Sequence, residues 1–167
     1  MPQKEMAWPR QPSDRQWVKP EGDDPRTLYQ MLMVSQERFG NEPCIGYIPG
    51  PGMQRVHLNY NEFGDLSTAV GKGLRDIGVE KGDRVAIIID NSVQWAALSY
   101  GANALGAAYT AMYTHQHGSE WAYILGDSTP SIIAVANTTV LDKLVDNLPS
   151  EASAWPKCGV ILLGDDP

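Results

Sequence analysis

The sequence predicts an α/β fold, a mostly parallel sheet with flanking helices, and three observations carry that reading. Val85, Ala86, Ile87, Ile88 and Ile89 form an unbroken apolar run without alternation, which suits a strand covered on both faces. Directly after it, Trp95, Leu98, Ala102 and Leu105 recur at helical spacing. Two more rounds of helical stretch and short β-branched run follow, and such alternation builds parallel strands joined by right-handed crossovers.

Taken in order, residues 27–39 predict a helix with Leu28, Met31, Leu32, Ser35 and Phe39 on one side. Residues 44–48 and 55–58 read as a hairpin across Pro49-Gly50-Pro51-Gly52. Asn59 and Glu62 form a capping box for a helix whose stripe is Phe63, Leu66, Val70, Leu74 and Ile77, ended by Gly78 and expected to pack on the sheet. Gly71 and Gly73 inside it each cost about 1 kcal/mol relative to alanine, so this helix depends on tertiary contacts. The strand at 85–89 lies between the turn Lys81-Gly82-Asp83 and Asp90-Asn91. Asn91 or Ser92 caps the next helix, with Gln94 as the capping-box partner of Asn91, and Gly106 ends it. A strand near 107–113, a helix near 119–127 ended by Pro130, and a strand at 132–135 come next. A helix at 139–148 stopped by Pro149 and a strand at 159–163 complete the pattern.

Composition divides the chain in two. Residues 1–26 hold five prolines, Trp8 and Trp17, and balance five basic against five acidic side chains; they read as an extended arm. Trp8 and Trp17 are the candidate docking residues, either on the chain's own domain or on a partner. Residues 27–167 form the α/β part and carry the whole of the net charge of -7, which argues against nucleic acid as a partner. Between Arg84 and Lys143 there is no lysine or arginine, so this region offers no cation to a triphosphate and ATP binding by it alone is not expected. Cys44 and Cys158 have no metal-ligand spacing, and a reducing, intracellular compartment, cytoplasmic or organellar, is the default reading. The uncharged stretch 91–119 is too rich in Gly, Asn, Ser, Thr and Gln for a transmembrane segment, and residues 1–19 have no apolar core of a secretory leader.

Several linked motifs then carry a resemblance over roughly residues 27–165. They are Tyr60-Asn61-Glu62-Phe63, the segment 78–89, Asn91-Ser92-Val93-Gln94-Trp95, Gly106-Ala107-Ala108-Tyr109, Glu120-Trp121-Ala122-Tyr123-Ile124-Leu125 and Asp127-Ser128. In this order they resemble the opening of the AMP-forming adenylating enzymes, and Met112-Tyr113 with residues 43–47 tilts the likeness toward the long-chain fatty acyl-CoA synthetases. Gln94 and Ala111 depart from the family pattern at positions without a catalytic role.

The resemblance implies part of the N-terminal domain of an acyl-CoA-synthetase-like fold. A complete family enzyme uses ATP and magnesium to form an acyl-adenylate and then transfers the acyl group to coenzyme A. Its Ser/Thr/Gly-rich phosphate loop, its downstream acidic and aromatic motifs and its C-terminal lysine have no counterpart in the 167 residues, so no catalytic, cofactor-binding or metal residue is carried over. Gly101 to Gly106, GANALG, lacks the Lys-Ser/Thr of a nucleotide loop and reads as a close helix contact. His115 and His117 read as a solvated loop without the further ligands a metal needs. Glu120 and Trp121 mark a helix start, Asp83 and Arg84 fix a turn, and Ser119 and Ser128 have no positioned base. Two functions stay open: the scaffold portion of a longer synthetase, whose remainder is the partner, or a truncated non-catalytic relative kept as a subunit of an assembly. An unpaired edge strand requires cover in the second case.

Overall fold

Four parallel strands lie in the order β4-β3-β5-β6, in a computed structural model that describes residues 25, 27–149 and 155–164. β3 (Arg84–Ile88) and β5 (Ile132–Val135) are central, and β4 (Ala108–Met112) and β6 (Val160–Leu162) are the edges. The unbroken apolar runs explain this placement, because β5 is buried throughout and β3 everywhere but Arg84. The arm with Trp8 and Trp17 lies outside the described residues.

The crossovers fill both faces of the sheet. Helix α3 (Val93–Ala104) joins β3 to β4, α4 (Gly118–Ser128) joins β4 to β5, and α5 (Thr138–Asn147) joins β5 to β6. Val85, Ile87, Ile132 and Ala134 face Leu98 and Ala102 of α3, while Ala86, Ile88, Ile133 and Val135 face Trp121 of α4 and Leu144 of α5. The period of two along each strand thus divides one sheet into two cores. A separate antiparallel hairpin, β1 (Pro43–Tyr47) with β2 (Val56–Asn59), packs with α1 (Leu28–Phe39) around Leu32, Phe63 and Ala97.

Three sequence expectations need correction. Helix α2 (Tyr60–Asp76) has the expected Asn59/Glu62 capping box; Leu74 and Val70 join the core of the sheet, but its main neighbour is α3 and its stripe is only partly buried. Its buried face is Phe63, Gly64, Ser67, Gly71 and Leu74, while Leu66 and Ile77 are 37% and 46% exposed. The reason is close approach: a Cβ on Gly71 would sit 3.2 Å from the Gly101 carbonyl oxygen, and one on Gly101 would sit 2.8 Å from Val70 Cγ1. Gly101 is therefore the close helix contact read from GANALG, and Gly106, with φ of +72°, supplies the turn after α3.

In α1 only Leu32 of the expected stripe is buried; Leu28, Met31 and Phe39 are about half exposed, because α1 meets α2 and α3 along a narrow contact. The third correction concerns α3, whose N-cap is Ser92, its hydroxyl accepting the Trp95 N–H at 3.1 Å; Asn91 and Gln94 form no capping box. Cys44 and Cys158 are free thiols, Cys44 packing with the hairpin cluster and Cys158 with the sheet.

Candidate functional site

In an open parallel sheet ligands meet the crevice beyond the carboxyl ends of the strands, where successive crossovers leave in opposite directions. Here that place is β3, flanked by β4 on one side and β5 on the other, with α3 and α4 on opposite faces. The turns after the four strands build it: Ile89 to Ser92, Tyr113 to His117, Ala136 with Asn137, and Leu163 with Gly164. Ile89, Ser92, Gln94, Ala136, Leu163 and Gly164 line a shallow cleft of about 230 Å³. A wider groove of about 940 Å³ runs from the start of α3 to Tyr47 and Arg55 of the hairpin.

Asp90, Ser92, Thr114, Gln116 and Asn137 bind within the turns and helix caps. Ser92 caps α3, and the Asn137 side chain accepts the Val140 N–H at 3.0 Å to cap α5. The Thr114 hydroxyl donates to both oxygens of Asp90, at 2.9 and 2.8 Å, and so ties the turn after β3 to the turn after β4. The Gln116 side chain accepts the Tyr113 N–H at 2.8 Å, and the Trp121 indole donates to the Tyr113 carbonyl at 3.1 Å. Lys143 donates to the carbonyls of Thr114 and Gln116 with its ammonium 4.3 Å from the centroid of the Trp121 ring.

The sequence-level candidates fall into place around this frame. His115 stacks on Tyr113 at 5.5 Å between centroids, and His117 gives its N–H to Glu120 at the start of α4. Among the described residues no group of three or more His, Cys, Asp or Glu is set to hold a metal ion. Ser128 turns its hydroxyl back to the Ile124 carbonyl at 2.7 Å. Asp83 and Arg84 sit at the opposite end of the sheet, where Arg84 donates to the carbonyls of Ser128 and Thr129. Asp83 accepts the Glu80 N–H at 2.9 Å and pairs with Lys157 at 3.1 Å; the backbone N–H, ahead of the Ser131 hydroxyl and Lys157, holds its carboxyl below the usual carboxylate range. Sequence reasoning missed the Asp90–Thr114 tie, since 24 residues separate the pair and no motif marks it.

Among the described residues these turns carry no glycine-rich run, and Lys143 of α5 is engaged on two carbonyls and a ring, while Arg55 lines the adjoining groove.

The architecture is a three-layer α/β sheet, and fold alone does not assign an activity. A model of the AMP-binding enzyme family matches residues 33–166, and the chain belongs to that family. It is 28% identical over 121 residues to the long-chain-fatty-acid CoA ligase ACSBG1 of Bos taurus, a match that covers 72% of this chain and 16% of the relative. It is 35% identical over 78 residues to the long-chain-fatty-acid CoA ligase FadD13 of Mycobacterium tuberculosis, covering 47% of this chain and 16% of that one. The crystal structure of the N-terminal domain of FACL13 from Mycobacterium tuberculosis superposes with a TM-score of 0.66 at 25% identity, covering 81% of this chain and 33% of that one. The chain thus spans about a sixth of the length of these curated relatives.

Proposed function

We propose that this chain is the N-terminal scaffold portion of a long-chain fatty acyl-CoA synthetase. The observation that supports the reading is the family match over residues 33–166, which takes in the whole parallel sheet; at its carboxyl edge Ser92 and Asn137 cap their own helices and Lys143 is held by two carbonyls. ATP, magnesium and coenzyme A then belong to chemistry supplied by the remainder of a longer enzyme, in which a fatty carboxylate is adenylated and passed to the coenzyme A thiol. Both β4 and β6 are edges unpaired among the described residues, and β6, last in the chain, is the edge at which this reading expects the sheet to continue. In this reading residues 27–167 are a subdomain and residues 1–26 an arm.

A second reading keeps the chain as a non-catalytic subunit that docks through its arm and the β6 edge onto a larger assembly. The β6 edge, unpaired among the described residues, would serve such docking. The intact mass of the native protein, measured with whatever co-purifies, separates the two. A mass several times 18.3 kDa supports the synthetase; a mass near 18.3 kDa with a stoichiometric partner supports the subunit.

A further inference from the structure

Strand β1 of the hairpin is an open edge. Among the described residues it pairs with β2 alone, so about half of its backbone N–H and C=O groups are turned away from a partner strand. The groove of about 940 Å³ runs along that edge. Side chains alternate between the two faces of a strand, so a groove over one face would meet every second residue. This one meets Ile45, Gly46, Tyr47, Ile48 and Pro49 in succession, a run that spans about 17 Å when extended.

The far wall of the groove is Leu66 of α2 with the first turn of α3, from Asn91 to Gln94, and Ala96. None of the described lining residues is acidic, and Arg55, at the hairpin end, makes no hydrogen bond or ion pair with the described residues. Its Cδ lies 3.4 Å from where a Cβ on Gly46 would stand, so the cation rests its stem on the edge strand itself. The hairpin has no acid of its own: none occurs between Glu42 and Glu62, in a chain of net charge -7. Tyr47, Ile48 and Val56 stay exposed beside the groove. An extended peptide uses all of these features together, because it alone satisfies a row of outward N–H and C=O groups while laying alternate side chains on an apolar wall.

We infer that β1 takes a third strand: an extended protein segment that pairs along its free edge, packs apolar side chains against Leu66, Val93 and Ala96, and sets a carboxylate on Arg55. The source rests on the synthetase reading. This chain spans about a sixth of the curated relatives it matches, and the strand comes from the remainder of the longer enzyme.

Hydrogen exchange read by mass spectrometry, on the native protein from its source and on the purified 167-residue chain, tests the inference. Residues 44–48 should exchange at least about tenfold more slowly in the native protein, while residues 56–59 of β2 exchange alike in both and report that the hairpin is folded. Arg55→Glu in the full-length protein should return residues 44–48 toward the faster rate with residues 56–59 unmoved. Equally fast exchange of residues 44–48 in the two samples, or protection that Arg55→Glu leaves unchanged, overturns the inference. Slow exchange already present in the 167-residue chain overturns it too: if it persists on dilution the strand is the chain's own, and if it is lost the edge was paired with a second copy. A native mass near 18.3 kDa overturns the synthetase reading and this inference with it, whereas fast exchange in a protein several times that mass overturns this inference alone.

Discussion

The two faces of the parallel sheet are closed to different degrees. On the α4–α5 face the chain's own helices complete the core: Trp121 and Leu144 are fully buried, with Leu125 and Val140 close behind. On the α2–α3 face the small residues Gly71 and Gly101 bring two helices together, yet Leu66, Ile77 and Leu163 remain more than a third exposed beside an apolar groove. The first face buries its largest side chains completely, although a groove of about 640 Å³ opens beside Leu125, Leu148 and Trp155; the second leaves apolar side chains of α2 exposed next to its groove.

Trp121→Ala should break the closed face most severely, with a loss of about 3–5 kcal/mol by urea unfolding. It removes a fully buried ring, the hydrogen bond to Tyr113 and the seat of Lys143. Gly101→Val should cost about 1–3 kcal/mol by driving a side chain into Val70 and the α2 backbone. If it is neutral, the two helices are not held at contact distance. Asn59→Ala removes the cap of α2, whose side chain accepts the Glu62 N–H at 2.8 Å, and should cost about 1 kcal/mol, read from the thermal midpoint.

Asp83→Asn is a smaller change with a defined pH signature. Its folded-state carboxyl titrates below the ordinary value, so its contribution is full above about pH 4 and is lost as pH falls through the lowered value. Unaltered and variant chains should therefore differ near neutral pH and converge in acid; a gap that persists in acid would assign the effect to packing instead. Ile77→Gln, on the open face, should lie within about 0.5 kcal/mol of the unaltered chain. A cost near that of Trp121→Ala would mean that this face is sealed as tightly as the other.

The central strands and the caps were legible in the sequence, whereas the cover over each helix face was not. Val85 to Ile89 and Ile132 to Val135 announce buried parallel strands because nothing polar interrupts them. The caps at Asn59 and the start of α4 follow from short-range chemistry and stand where expected. Periodicity, however, reports only that a helix has an apolar stripe, not that anything covers it; Leu28, Met31, Leu66 and Ile77 were expected inside and are exposed. The inner face of α2 keeps Phe63 and Leu74 of the expected stripe but adds Gly64, Ser67 and Gly71, which give no hydrophobic signal. At the candidate site the individual turns were readable, but the meeting of Asp90 with Thr114 and of Lys143 with Gln116 depends on strand order, which a single sequence does not state.

On the proposed scaffold reading, the carboxyl edge of this chain supplies no phosphate chemistry by itself. Pyrophosphate exchange into ATP by the purified 167-residue chain, with magnesium and a long-chain fatty acid present, tests it directly. The account predicts no exchange above the buffer blank and no saturable binding of magnesium ATP; fatty-acid-dependent exchange would contradict it, because it would require a triphosphate cradle that the turns after β3, β4, β5 and β6 do not contain.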